Sequence, residues 1–269
     1  MLLAGIASAC SPAPGVASTP PVITQVVVAT LTDTPTLAPT ATLTPTPSLT
    51  PTPTITPTPA PGEPEWVEDF NDNTNNWETY QGTDVRAEVR DGSFVLTFLN
   101  ESFFQWASLP QTFQDVQLQV VAQMATENHM AGAICRLQDA DNFYLFSISK
   151  DRFFRVLAYI NGQPETLLPW SPSFTVQPDG ENTLDIACLG DRLTLHINGE
   201  LVANVVDGRL DRGQVALAAA SYAGRNPVSV RFERVTFIRP NYNALPPLPT
   251  PDPNLTATAI ARPTATPVP

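Results

Sequence analysis

Residues 193–205 read LTLHINGELVANV. Two runs of alternating apolar and polar residues flank Asn198-Gly199. Asn-Gly is the pair favoured in a two-residue type I′ turn, because both central residues take positive φ. The stretch therefore predicts a β-hairpin, with Leu193, Leu195 and Ile197 turned inward and His196 outward. The pattern repeats on both sides of it. Residues 93–99 (SFVLTFL), 116–122 (VQLQVVA), 143–148 (FYLFSI) and 153–160 (FFRVLAYI) are aromatic and β-branched. Turn pairs such as Asp91-Gly92, Asn161-Gly162, Gly190-Asp191, Asp207-Gly208 and Arg212-Gly213 separate such runs at intervals near ten residues. That rhythm belongs to an all-β sandwich. Residues 84–238 contain no 3.6-residue apolar period of helical length.

Composition sets the limits of this head. Thirteen of the 29 prolines lie in residues 1–62 and eight in 241–269. The same two segments hold almost no charge: Asp33 in the first, Asp252 and Arg262 in the second. Neither has the apolar bulk to offset the entropy of ordering. The expected layout is a signal-like segment at 1–10, a disordered Thr/Pro-rich stalk at 11–62, a β-sandwich at 63–240 and a disordered Pro/Thr-rich tail at 241–269. The net charge of −12 falls nearly all on the head. It excludes nucleic acid, which demands a basic footprint, and excludes docking on anionic lipid through a basic patch.

The first nine residues, MLLAGIASA, are apolar and small. They are too short to span a bilayer but fit the core and cleavage end of an export signal. Ala7-Ser8-Ala9-Cys10 resembles a bacterial lipobox, although no Lys or Arg precedes it and Ala7 stands where that motif carries Leu. The resemblance implies a lipidated Cys10 and a chain held at the cell surface; the alternative is an ordinary cleaved signal. In the stalk, Leu31, Leu37, Leu43, Leu49 and Ile55 repeat every six positions with Thr and Pro between. Proline there rules out helix and central strand, leaving polyproline II and coil. At about 3.1 Å per residue the segment could hold the head on the order of 140 Å from its anchor.

Seven ordered motifs carry a further resemblance. They are Asp69-Phe70 with Trp77, GAICR at 132–136, DADNFY at 139–144, Asn182-Thr183-Leu184, LHING at 195–199, GQVAL at 213–217 and VRFE at 230–233. Together they resemble the concanavalin A-like jelly roll, in its laminin-G-like and 3-keto-disaccharide-hydrolase-like branch, over nearly all of 65–238. The resemblance implies a jelly-roll β-sandwich and leaves activity open, because this fold hosts lectins, hydrolases and inert spacers.

Cys135 and Cys188 each fall in a strand, and Cys188 shares its parity with Leu184 and Ile186. In an exported chain the two are expected to form a disulfide. Catalysis has little to work with. His129 and His196 have no zinc spacing around them, and no G-x-S-x-G occurs. Glycosidases of this fold need two glutamates and an aspartate alternating on one strand to flank the bond; Glu63, Glu65 and Glu68 come nearest but sit at the linker junction and lack the Asp. The chain is therefore read as a non-enzyme. Asp69, Asn71, Asn73 and Asn75 alternate as calcium ligands do, yet Thr74 and Tyr80 replace the Gly and Glu of an EF-hand. A polar turn is preferred and no cofactor is assigned, with weak calcium binding left open. Glycan or another surface polymer is the expected partner, stacked on aromatics and oriented by polar groups. The candidate ligand-binding residues are Trp106, Arg136, Arg155, Tyr159, Trp170 and Tyr222. Counting back from a turn at 139–142 sets Leu137 opposite Tyr144 and Cys135 opposite Phe146, with Arg136 on the other face beside Phe143 and Leu145. A structural or protein-interaction head and a glycosidase-like domain are the rival readings.

Overall fold

The strand Val116–Met124 alternates without a break: Val116, Leu118, Val120, Ala122 and Met124 are buried, and the residues between them are half-exposed. Such a strand has one face on a core and one toward solvent. In the computed structural model, which describes residues 59–100, 103–124, 129–222 and 227–248, two antiparallel sheets enclose that core. Cys10 with its signal segment, the stalk as far as residue 58 and the tail beyond 248 lie outside the described residues.

Fifteen strands occur among the described residues. They are β1 Pro64–Glu68, β2 Tyr80–Gln81, β3 Val85–Arg90, β4 Ser93–Phe98, β5 Phe103–Phe113, β6 Val116–Met124, β7 His129–Asp139 and β8 Asn142–Ser149, then β9 Phe153–Ile160, β10 Gln163–Pro172, β11 Glu181–Leu189, β12 Arg192–Ile197, β13 Glu200–Val206, β14 Gly213–Ser221 and β15 Val228–Ile238. The larger sheet runs β13-β12-β11-β6-β15-β4-β3-β2, with β1 also on β15; the smaller runs β10-β9-β8-β7-β14-β5. This is the jelly-roll sandwich expected. The hairpin at 193–205 is β12–β13, with Asn198 at φ 51° and Gly199 at φ 85° and Leu193, Leu195 and Ile197 fully buried.

The expected disulfide is present. Cys135 on β7 bonds Cys188 on β11, with 6.7 Å between the Cα atoms, and so ties one sheet to the other.

The register of β7 on β8 departs from the expected one. Cys135 pairs with Tyr144 and Ala133 with Phe146, although Asp139 still pairs with Asn142 at the turn. The extra residues form a bulge in which Arg136 takes φ 54°. A bulge shifts parity by re-aiming the side chains beyond it. Leu137 thereby joins Phe143 and Leu145 on the outer face of the small sheet, and Arg136 turns into the protein. Gly213 on β14 admits this bulge, since a Cβ there would lie 2.4 Å from the Arg136 carbonyl carbon.

Order also extends past the expected domain boundary. Residues 241–248 fold back onto the large sheet, where Arg192 donates to the Pro246 carbonyl at 2.6 Å and Asn204 to the Pro247 carbonyl at 2.9 Å. Both flanks leave from one end. Pro64 pairs with Ile238, and Gly62 donates to the Arg239 carbonyl. The opposite end of β15 holds Val230 against Met124, the last residue of β6, and β7 begins at His129. With 11 residues in β15, the two ends stand roughly 35 Å apart.

Candidate functional site

The outer face of the small sheet is unusually apolar. Met130, Ile134, Leu137, Phe143, Leu145 and Leu157 form a second cluster with Ala216, Ala218 and Ala220, distinct from the core between the sheets. Small residues on β14 leave room above them, and aromatics fill it. Trp106 lies 5.4 Å from Phe104 and 5.4 Å from Phe143, and Phe143 stacks on Tyr159 at 4.4 Å. Two candidates, Trp106 and Tyr159, thus serve as half-buried covers for this face.

Beyond the cover the sheet stays open. A pocket of about 380 Å3 is lined by His129, Ser149, Asp151, Phe153, Trp170 and Tyr222. Strand ends and one turn supply all of these: the start of β7, the end of β8, the β8–β9 turn, the start of β9, the end of β10 and the residue after β14. Its volume is at the small end of the range for ligand sites. Arg155 points into the same region. Its guanidinium carbon lies 4.4 Å over the Trp170 ring, and its Nη2 donates to the Tyr222 hydroxyl at 3.5 Å. Three of the residues singled out from the sequence, Arg155, Trp170 and Tyr222, therefore converge.

The turn beneath is fixed by its own bonds. The Ser149 hydroxyl bonds the Asp151 carboxylate and accepts from the Phe153 amide at 3.3 Å. Arg152, at φ 68°, reaches across to the carbonyls of Phe174 and Val176. Burial raises the Tyr222 phenol above its ordinary value; Arg155 opposes this and Asp151 reinforces it, so the three groups share one field. Arg155 Nε and Ser147 Oγ, on register-paired residues of β9 and β8, are both buried without a hydrogen-bond partner.

Arg136 does not belong to this site. It is 1% exposed, donates to the carbonyls of Leu210 and Gly190 and stands 3.5 Å from Asp115. It clamps loops at the opposite end of the sheet, because the bulge turned it inward. The Asp69–Asn75 loop is a polar turn held by its own side chains. Asn71 bonds Asp69, Asn73 bonds the Trp77 carbonyl, and Asn75 bonds Glu68. Glu68 also accepts from the Phe70 amide and the Trp77 indole, which commits its carboxylate to structure. Among the described residues no group of three or more His, Cys, Asp or Glu is arranged for a metal.

His129, Ser149, Asp151 and Phe153 were not singled out from the sequence as binding residues. The signal for them was the Lys150-Asp151 turn between two strong strands. What it lacked was any statement of which sheet end would be left uncovered.

A family model described as a 3-keto-alpha-glucoside-1,2-lyase-like domain matches residues 65–236. The chain belongs to that family. Among solved structures, a Bacillus licheniformis beta-glucanase is similar at 13% identity and a TM-score of 0.53, covering 66% of this chain and 98% of its own. A Bacillus subtilis protein of unknown function with a galectin-like fold is similar at 11% identity and 0.52, covering 67% and 97%. The carbohydrate binding module CBM66 from Bacillus subtilis aligns at 17% identity and 0.47, covering 60% and 96%. The glucanase and galectin-like likenesses establish the fold. No match was found among the curated proteins.

Proposed function

We propose that this member of the 3-keto-alpha-glucoside-1,2-lyase-like family is an exported, lipid-anchored surface protein whose sandwich head binds carbohydrate at the Trp170 pocket without turning it over. The observation that carries the reading is the convergence of Arg155, Trp170 and Tyr222 on one open pocket. An aromatic face takes the apolar side of a sugar ring, and a charged donor beside it fixes the hydroxyls. Placement supports it as well. The pocket lies at the end of the sandwich opposite the one from which both Thr/Pro-rich flanks leave. A stalk that begins at Cys10 would hold that end away from the membrane.

A glycan array tests the binding. The wild-type head retains at least one neutral glycan, and Trp170→Ala releases it. Retention of no glycan removes the carbohydrate reading and favours a protein-interaction head. Membrane fractionation tests the anchor: Cys10→Ser moves the chain to the soluble fraction, and continued membrane association overturns lipidation.

One observation favours a second reading, catalysis. Asp151 lines the pocket together with His129 and Tyr222, and the family description names a lyase. A carboxylate or imidazole there could remove the C2 proton next to the keto group of a bound 3-keto-glucoside, the electron pair forming a C1–C2 double bond as the C1 substituent leaves with its oxygen. Turnover of 3-keto-α-glucosides that is lost in Asp151→Asn would establish that reading and displace the first.

A further inference from the structure

Phe174 is 88% exposed, the highest exposure among the large apolar side chains described. Among the described residues its side chain makes no ring contact, yet its loop is firmly held. The Ser173 amide donates to the Arg152 carbonyl at 2.8 Å, and Arg152 Nη1 donates to the carbonyls of Phe174 and Val176 at 3.2 and 3.3 Å. Ser173 and Thr175 share a hydrogen bond of 2.6 Å, and Asn198 donates to the Thr175 carbonyl at 2.7 Å. Pro169 and Pro172 stiffen the approach. An apolar ring displayed on an unbraced loop could fold down; one displayed on a braced loop stays in water at a standing cost.

The brace also fixes where the ring stands. Arg152 lies between Asp151 and Phe153, which both line the pocket, and Phe153 pairs with Pro172. Phe174 therefore lies two residues beyond Pro172, the strand partner of the pocket-lining Phe153, on a loop tied to Arg152. The pocket is small, and a longer ligand must extend beyond it. Trp170 and Tyr222 are themselves 37% and 39% exposed, so the aromatic surface runs from the pocket outward.

We infer that Phe174 is an outer platform and that the site takes a chain of several sugar rings, one in the pocket and the next stacked on Phe174. The inference rests on the carbohydrate reading of the pocket and specifies its ligand as an oligosaccharide or polymer. The acidic surface fits a neutral chain, because Asp151 in the pocket and the net charge of −12 both repel an anionic polymer.

Calorimetric titration with gluco-, xylo- and fructo-oligosaccharides of one to six units tests it. Affinity of the wild-type head rises with length beyond one ring. Phe174→Ala lowers affinity for the longer members about threefold to tenfold, the size of one aromatic stacking contact, and leaves the monosaccharide unchanged. Trp170→Ala weakens every length. Equal binding of long chains by wild type and Phe174→Ala overturns the platform while leaving the pocket reading intact. Absence of binding by all three series, together with a blank array, removes both. Co-sedimentation of wild type but not Phe174→Ala with phosphatidylcholine vesicles would instead make Phe174 a lipid contact and overturn the inference.

Discussion

The guanidinium carbon of Arg155 lies over the indole ring of Trp170, 4.4 Å from its centroid. The pair is asymmetric. Trp170 orients Arg155 and presents its own ring, whereas Arg155 supplies charge and donors. Replacing Arg155 by Lys keeps the charge but loses the planar fork and the stack. Arg155→Lys should therefore weaken glycan binding by roughly 1–2 kcal/mol, about fivefold to thirtyfold, while leaving thermal stability close to wild type. Titration of the array-selected glycan, with a parallel melting curve, checks this. A large loss of stability would assign Arg155 to the fold instead.

The Cys135–Cys188 bond joins β7 of one sheet to β11 of the other and closes a loop with a sequence separation of 53. Its main effect is to restrict the unfolded chain. Changing both residues to Ser should lower unfolding free energy by about 2–4 kcal/mol, read from the urea midpoint. The pocket lies at the other end of the small sheet, so glycan affinity well below the new midpoint should be unchanged. A double Ser variant as stable as wild type would show that the sandwich core alone fixes the two sheets.

Much of this architecture can be read along the chain, because strand alternation is local. The inward set Leu193, Leu195 and Ile197 follows from parity around Asn198-Gly199 alone. The Arg136 bulge does not, because it depends on a close approach of Gly213 from a strand 77 residues later. One bulge was enough to invert the expected setting of Arg136 and Leu137. The site shows the same division. Trp170 stands out as an aromatic between prolines. Asp151 and Ser149 gain their roles only because the start of β7, the end of β8, the start of β9 and the end of β10 meet beside Tyr222, a matter of register across strands.

Asp207 is a buried carboxylate that accepts from the Tyr144 hydroxyl and faces Arg209, which also reaches Glu165. Burial alone would raise its pKa. The hydrogen bonds from Arg209 and Tyr144 outweigh burial and hold it below the ordinary 3.8. A carboxylate depressed in the folded state contributes stability above its unfolded value and loses it as pH falls through the folded value. Urea midpoints should therefore decline below about pH 4 in the wild type, following the ordinary carboxylate value. Asp207→Asn should cost roughly 2 kcal/mol at neutral pH, as charged hydrogen bonds are lost, and should flatten this acid decline. An unaltered pH slope in the variant would place the acid sensitivity elsewhere.

Residues 241–248 form a strap across the large sheet, although composition alone assigned them to a free tail. The Tyr242 hydroxyl bonds Asp115, whose carboxylate also accepts from the Gly190 amide at 2.7 Å and faces Arg136. Arg192 and Asn204 hold the carbonyls of Pro246 and Pro247. A chain ending at Leu248 should keep the full unfolding midpoint. One ending at Pro240 should lose roughly 2 kcal/mol, the sum expected for three hydrogen bonds of ordinary net worth. The hydrogen bond to Asp115, helped by burial, pushes the Tyr242 phenol up to about 12 from its ordinary 10.0. The sign is that of an acid kept protonated by folding: its contribution is complete below pH 10 and is lost as pH climbs toward 12. The gap between the two truncations should accordingly be constant from pH 7 to pH 9.5 and narrow above pH 10, and Tyr242→Phe in the longer chain should remove that narrowing. Equal midpoints for the two truncations at pH 7 would show that the strap adds nothing to the fold.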